Sequence, residues 1–119
     1  MEKKNKKKIE ENNFMLGDKD FTCPVELTAN AITGKWKLII MHKLTIKEKL
    51  RYSELKKEIT KITEKMLIQQ LRELEKEELI ERKIYPVVPP KVEYFLTQKG
   101  KGILPVIEAL RTWGQLFKV

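Results

Sequence analysis

Arg51-Tyr52-Ser53-Glu54-Leu55, followed by Thr63-Glu64-Lys65-Met66-Leu67-Ile68-Gln69-Gln70-Leu71-Arg72-Glu73-Leu74-Glu75-Lys76, is the stretch on which the fold turns. Leu67, Leu71 and Leu74 fall at i, i+4 and i+7, one apolar stripe of a helix, while Lys65, Gln69, Arg72 and Lys76 occupy the opposite face. Thr63 offers an N-cap hydroxyl, and Glu64 puts negative charge at the positive end of the helix dipole, so a helix starts there and runs to about Lys76. Arg51 to about Ile59 reads as a shorter helix that Ser53 or a neighbour can cap, and Thr60 to Ile62 leaves only a brief connection between the two. A turn that short forces a large crossing angle, with one side of the second helix packed and the other free.

Working outward, the period shifts toward two after Glu78. Ile80, Arg82 and Ile84 alternate with Glu81, Lys83 and Tyr85, and Val92, Tyr94 and Leu96 alternate with Glu93 and Phe95. These are two strands, and Pro86-Val87-Val88-Pro89-Pro90 between them belongs in the loop of a hairpin because proline cannot donate to a ladder. On the N-terminal side, Cys23 stands where an N-cap would, before Pro24 and Glu26, and a helix carrying Val25, Leu27, Ala29 and Ile32 begins there. Gly34 ends or bends it before a second helix from about Lys35 to Leu44, with Trp36, Leu38, Ile39 and Ile40 as core candidates, and Thr45 to Leu50 is a polar interval. A last helix from Thr97 contains Ile103, Leu104, Val106, Ile107, Leu110, Trp113, Leu116 and Phe117, with Pro105 in its first turn or at a bend.

Three helices, a two-stranded hairpin and a closing helix make a mainly α fold with a small β-hairpin (α+β), in the order of a winged helix-turn-helix. In that arrangement the helix from Thr63 enters a DNA major groove and the hairpin flanks it. Thr63, Glu64, Lys65, Ile68 and Gln69 are then the side chains that reach base edges, with lysine suited to guanine acceptors and glutamine to adenine. Arg72 and Lys76 suit phosphates, Lys83 and Lys91 flank the proline loop with Arg82 near, and Arg51, Tyr52 and Ser53 join them from the start of the preceding helix.

Composition agrees with that partner. The 119 residues are the size of one domain, the hydrophobic fraction of 41% is globular, and 25 Lys and Arg against 17 Asp and Glu give a formal charge of +8, which suits double-stranded DNA. Residues 1–20 read as a basic, polar N-terminal arm in which Ile9, Phe14, Met15 and Leu16 could form a short helix; residues 21–119 read as the domain. Cys23 is the only cysteine, so no disulfide can close within the chain and a reducing cytoplasm fits. No apolar run approaches a membrane span, and Lys3 to Lys8 leads into Glu10 and Glu11, unlike a secretory signal. Catalysis has little to stand on: His42 is the only histidine, which leaves no histidine-based metal cluster or catalytic triad, there is no glycine-rich phosphate loop, and no cofactor is expected. A winged helix that binds protein or structured RNA is the competing reading on these features.

The sequence resembles the HxlR-type transcriptional regulators, a winged-helix group close to the MarR regulators. The resemblance rests on Cys23-Pro24-Val25, Gly34-Lys35-Trp36-Lys37, Arg51-Tyr52-Ser53-Glu54-Leu55, Glu64-Lys65-Met66-Leu67, Gln69-Gln70-Leu71-Arg72-Glu73-Leu74, Tyr85-Pro86-Val87-Val88-Pro89-Pro90-Lys91-Val92-Glu93-Tyr94 and Leu96-Thr97, in the family's order over residues 23 to about 114. It implies a homodimeric, sequence-specific DNA-binding regulator of the prokaryotic cytoplasm, acting on a pseudo-palindromic operator, with its N- and C-terminal helices forming the dimer. Ile103, Ile107, Leu110, Trp113 and Phe117 are the interface candidates, because apolar residues cover more than one face of the last helix. It also implies that Cys23, on the position some relatives use to sense oxidants or electrophiles, is a candidate redox sensor. A helix N-terminus stabilises a thiolate in general, while Asp20 and Glu26 oppose the effect here. The chain departs from the family at Lys61 and Thr33, where glycines are usual, and at Tyr52, where phenylalanine is common, leaving its hydroxyl to face solvent or a phosphate. No small-molecule effector is legible.

Overall fold

The structure, a computed structural model, describes residues 13–119. Two short strands, β1 (Phe14–Leu16) and β2 (Lys19–Phe21), precede the helices α1 (Pro24–Ala31) and α2 (Trp36–Ile46). Then come β3 (Leu50–Arg51), α3 (Tyr52–Glu58), α4 (Glu64–Lys76), the hairpin of β4 (Ile80–Tyr85) and β5 (Lys91–Leu96), and finally α5 (Gln98–Lys101) and α6 (Leu104–Gln115). This is the winged helix-turn-helix order, mainly helical with small sheets.

α4 forms where its sequence says it should. The Thr63 hydroxyl oxygen accepts from the Met66 N–H at 3.1 Å, and Leu67, Leu71 and Leu74 are all buried. They meet Ile40, Met41 and Leu44 of α2, Leu55 of α3, Ile59 and Ile62 of the turn, and Ile80 and Leu96 of the hairpin in one core. Burying each such side chain contributes on the order of 2 kcal/mol, and together they pin α4 by one face only.

Four local readings change. Phe14, Met15 and Leu16 form a strand, not a helix: Gly17, at φ 62°, permits a two-residue turn, so Leu16 pairs with Lys19 and Phe14 with Phe21; Ile9 lies outside the described residues. α2 runs on through Thr45 and Ile46, and the Lys47 N–H still donates to Lys43 O at 3.0 Å. Leu50 and Arg51 form a third strand against Tyr94 and Glu93, giving the sheet order β3-β5-β4. The closing helix is two pieces, with a break at Gly102 and Ile103 and Pro105 in the first turn of α6, where a missing N–H costs nothing.

The C-terminus of α4 carries backbone strain. Glu78 sits at φ 63°, in the left-handed region where glycine is usual, while Leu79 N–H donates to Leu74 O and Glu78 N–H to Glu75 O, both at 3.0 Å. This is the Schellman pattern with a side chain at the glycine position. Glu78→Gly is therefore expected to raise stability by about 0.5 to 1 kcal/mol, the steric relief exceeding glycine's extra unfolded-state entropy. Urea unfolding measures it, and a destabilised variant would refute the strain argument.

Candidate nucleic-acid interface

Because α4 is held by one stripe, its other face is open. Thr63, Glu64, Lys65, Ile68, Gln69 and Arg72 are all exposed, and the last five share a shallow hollow with Glu73. Lys65 and Arg72 form no ion pair among the described residues, so both are available to phosphates or base edges. The Gln69 amide is occupied: its Nε2 donates to Glu73 Oε2 at 3.3 Å. Lys37 donates to the same Glu73 carboxylate, and that hydrogen bond, assisted by the one from Gln69, holds the Glu73 carboxyl below the usual range against its partial burial.

Before α4, Arg51 occupies the N-cap position of α3, and its backbone N–H donates to Glu54 Oε1 at 2.8 Å, so Glu54 and not Ser53 satisfies that end. Arg51 and Ser53 are exposed. Tyr52 is placed otherwise than its sequence position suggested. Its ring packs on the core and its hydroxyl is buried without a hydrogen-bond partner, so it does not face solvent. Desolvation, with Glu64 adding a smaller repulsion, pushes the phenol's pKa up.

The wing is built around Tyr85. Lys83 and Lys91 place their ammonium groups 5.0 and 4.9 Å from its ring centroid, and its hydroxyl donates to Glu93 Oε1 at 2.9 Å. That bond raises the tyrosine's pKa and, with Lys91 3.7 Å from the carboxylate, lowers that of Glu93. The prolines keep the tip out of the ladder, and Val88 at its apex is 99% exposed. Arg82 is turned toward α4, with Nε 3.1 Å from Glu75 Oε2, so it ties the wing to the helix.

Elsewhere, Cys23 is the N-cap residue of α1, with extended backbone, a free thiol and partial exposure. On α6, Ile107 is 5% exposed and Ile103 packs against the core, so the chain itself covers these two interface candidates. Leu110, Trp113 and Phe117 stay exposed, with Leu116 beside them, and the Trp113 and Phe117 rings meet edge-on at 4.9 Å. His42 lies 3.5 Å from Arg111, and desolvation first, then the charges of Arg111 and Lys43, lowers its pKa. Among the described residues no cluster of His, Cys, Asp and Glu could hold a metal, and no helix is long and apolar enough to cross a membrane.

Sequence reasoning missed Lys37 and Glu77, the two buried charged residues among those described, which pair with each other. Nothing local signals them, since the partners are 40 residues apart.

A winged hairpin beside a one-face-packed helix is shared with known proteins, and the pattern described as HxlR-like helix-turn-helix matches residues 31–118. The chain belongs to that family. An HTH-type transcriptional regulator of Methanothermobacter thermautotrophicus is 48% identical to this HxlR-like chain over 103 residues, 86% of this chain and 77% of the relative. Among solved structures, a MarR-family transcriptional regulator from Porphyromonas gingivalis W83 aligns with TM-score 0.74 at 42% identity, covering 81% of this chain and 93% of the other. The redox regulator HypR in its oxidised form aligns with TM-score 0.74 at 41% identity, covering 82% and 99%. The HxlR-like chain is thus a DNA-binding transcriptional regulator.

Proposed function

We propose that the protein works in the cytoplasm as a homodimer that reads a pseudo-palindromic operator, with α4 in the major groove and the β4–β5 wing alongside. The observation that carries this is the open face of α4, where Lys65, Gln69 and Arg72 project from a helix whose opposite stripe is wholly buried. Lys65 and Gln69 serve base edges, Arg72 a phosphate, and Arg51, Ser53, Lys83 and Lys91 flank them as further phosphate contacts. Tyr52, with its hydroxyl buried, supports α3 rather than touching DNA.

Dimerisation is supported by Leu110, Trp113, Leu116 and Phe117, a large apolar surface on and just beyond α6 that the other described residues leave uncovered, and by Val25 on α1. A two-fold dimer would set two α4 helices roughly 34 Å apart on one side of the duplex. The kinship with HypR, a redox regulator, together with a partly exposed thiol at the start of α1, supports Cys23 as the residue through which oxidants change operator affinity.

The test is a titration of reduced protein against DNA from upstream of its own gene and against scrambled duplex of equal length. We expect a preference of about a thousandfold or more. Diamide should reduce it for the native protein and leave Cys23→Ser unaffected. Equal affinity for the two duplexes would overturn the operator reading, and an unchanged response in Cys23→Ser would remove the sensor.

A further inference from the structure

Lys37 and Glu77 are 6% and 7% exposed, and no other charged residue among those described is buried. Lys37 Nζ lies 3.2 Å from Glu77 Oε2 and 3.1 Å from Glu73 Oε1. Glu73 of α4 and Glu77, its C-cap residue, are one turn apart on the same side, so a single ammonium held between them fixes both the rotation of that helix and its position along its axis. A well-packed apolar trio would hold the helices together as firmly, since burying charge costs much of what pairing returns. What the charges add is directional: they specify where the carboxylates of α4 point.

One ammonium leaves two carboxylates underbalanced, and the second cation comes from the N-terminal hairpin. Lys19 of β2 places Nζ 3.4 Å from Glu77 Oε2 and 3.0 Å from Asn30 Oδ1 of α1. The turn of the same hairpin rests on the last turn of α4: a Cβ at Gly17 would lie 3.6 Å from Glu77 Cα and from Lys76 O. At the other end of the cluster, Glu73 accepts from the Gln69 amide at 3.3 Å on the open face. The polar groups therefore run without a gap from Lys19 through Glu77, Lys37 and Glu73 to Gln69.

We propose that this chain of charges sets the orientation of the Gln69 amide, making Glu73 and Lys19 positioning residues for base readout and the N-terminal hairpin a part of the DNA-reading apparatus. The inference rests on α4 being the reading helix. An Asn or Gln amide discriminates a base only when donor and acceptor are both correctly turned; with its Nε2 fixed on Glu73, the Gln69 oxygen is held to a narrow set of directions. Loosening Glu73, directly or by removing the cation that balances its neighbour, blurs that choice without touching the phosphate contacts.

The experiment compares Gln69→Ala, Glu73→Gln, Lys19→Met and Lys19→Arg on the full chain, each titrated against the operator, a panel of single-base-pair variants of it, and an unrelated duplex, with thermal unfolding alongside. Lys19 is half exposed, so its replacement leaves the core intact. Gln69→Ala should relax preference at one base pair of each half-site. Glu73→Gln and Lys19→Met should relax that same base pair by about three- to tenfold, Lys19→Arg should keep the native preference, and the affinity ratios elsewhere should stay as they were. A uniform loss at every position, tracking a fall in melting temperature, would mean a purely structural cluster and overturns the proposal, as would full discrimination in Glu73→Gln. If Gln69→Ala relaxes no base pair, Gln69 is not a reading residue and the proposal falls with that assignment, an outcome distinct from the other two.

Discussion

Gln69→Ala weakens binding to the operator by about 1–3 kcal/mol, roughly five- to 150-fold, and leaves binding to unrelated duplex where it was, whereas Arg72→Ala weakens both alike. The two residues stand three apart on the same open face of α4, yet they differ in what they can tell about DNA. A glutamine amide presents a donor and an acceptor side by side, which matches one base edge and clashes with others, so its loss is felt only where the right base was present. The Arg72 guanidinium has no carboxylate partner among the described residues and meets the phosphates that every duplex offers. Its removal should therefore lower the slope of log affinity against log salt by about one. Titrations of both variants across a salt series, on operator and on unrelated DNA, separate these outcomes. If Gln69→Ala lost affinity equally on both duplexes, the residue would be a general contact and base selection would belong to Lys65 or the wing.

Much of this is legible in the sequence, and the reason lies in periodicity. α4 runs 13 residues, long enough for Leu67, Leu71 and Leu74 to declare a buried stripe and so, by exclusion, an open face. The wing was legible for the same reason, with six alternating residues in each strand and prolines between them. What escaped was too short to have a period. β1 and β2 have three residues each and β3 has two; β3 is defined by partners in β5 distant in sequence, and only the Gly17-Asp18 turn hints at the β1–β2 pair. Charge misled in another way. Nothing local marks Lys37 and Glu77 as buried, because the pairing that makes their burial tolerable is made across 40 residues. Tyr52 reads as amphipathic, and nothing in its neighbours foretells that the hydroxyl end would be the covered one. On α6 the apolar excess was visible, but its division between a face that packs inward at Ile107 and one left bare at Trp113 and Phe117 depends on where α2 lies.

Gly100→Ala is expected to cost about 3 kcal/mol, a large share of the 5–15 kcal/mol that holds a domain of this size together. The glycine is buried in α5 directly over the link between α4 and β4, and a Cβ there would overlap the carbonyl oxygen of Leu79 while approaching Leu96 Cδ2 at 3.2 Å. Neither side can retreat. The Leu79 carbonyl is held from below by the Thr97 N–H at 3.1 Å; the Thr97 hydroxyl donates to Glu78 O at 2.7 Å and accepts from the Gly100 N–H at 3.0 Å. Adding one methyl group thus sets the start of α5 against a backbone joint that the same turn is fastening. Urea unfolding should show the loss, with a melting temperature lower by about 10 °C. Thr97→Val, which removes the hydroxyl but adds no bulk at Gly100, should cost less, about 1–2 kcal/mol. Native stability in Gly100→Ala would mean that α5 can swing off the sheet at little cost, and the root of the wing would then be set by the β4–β5 ladder alone.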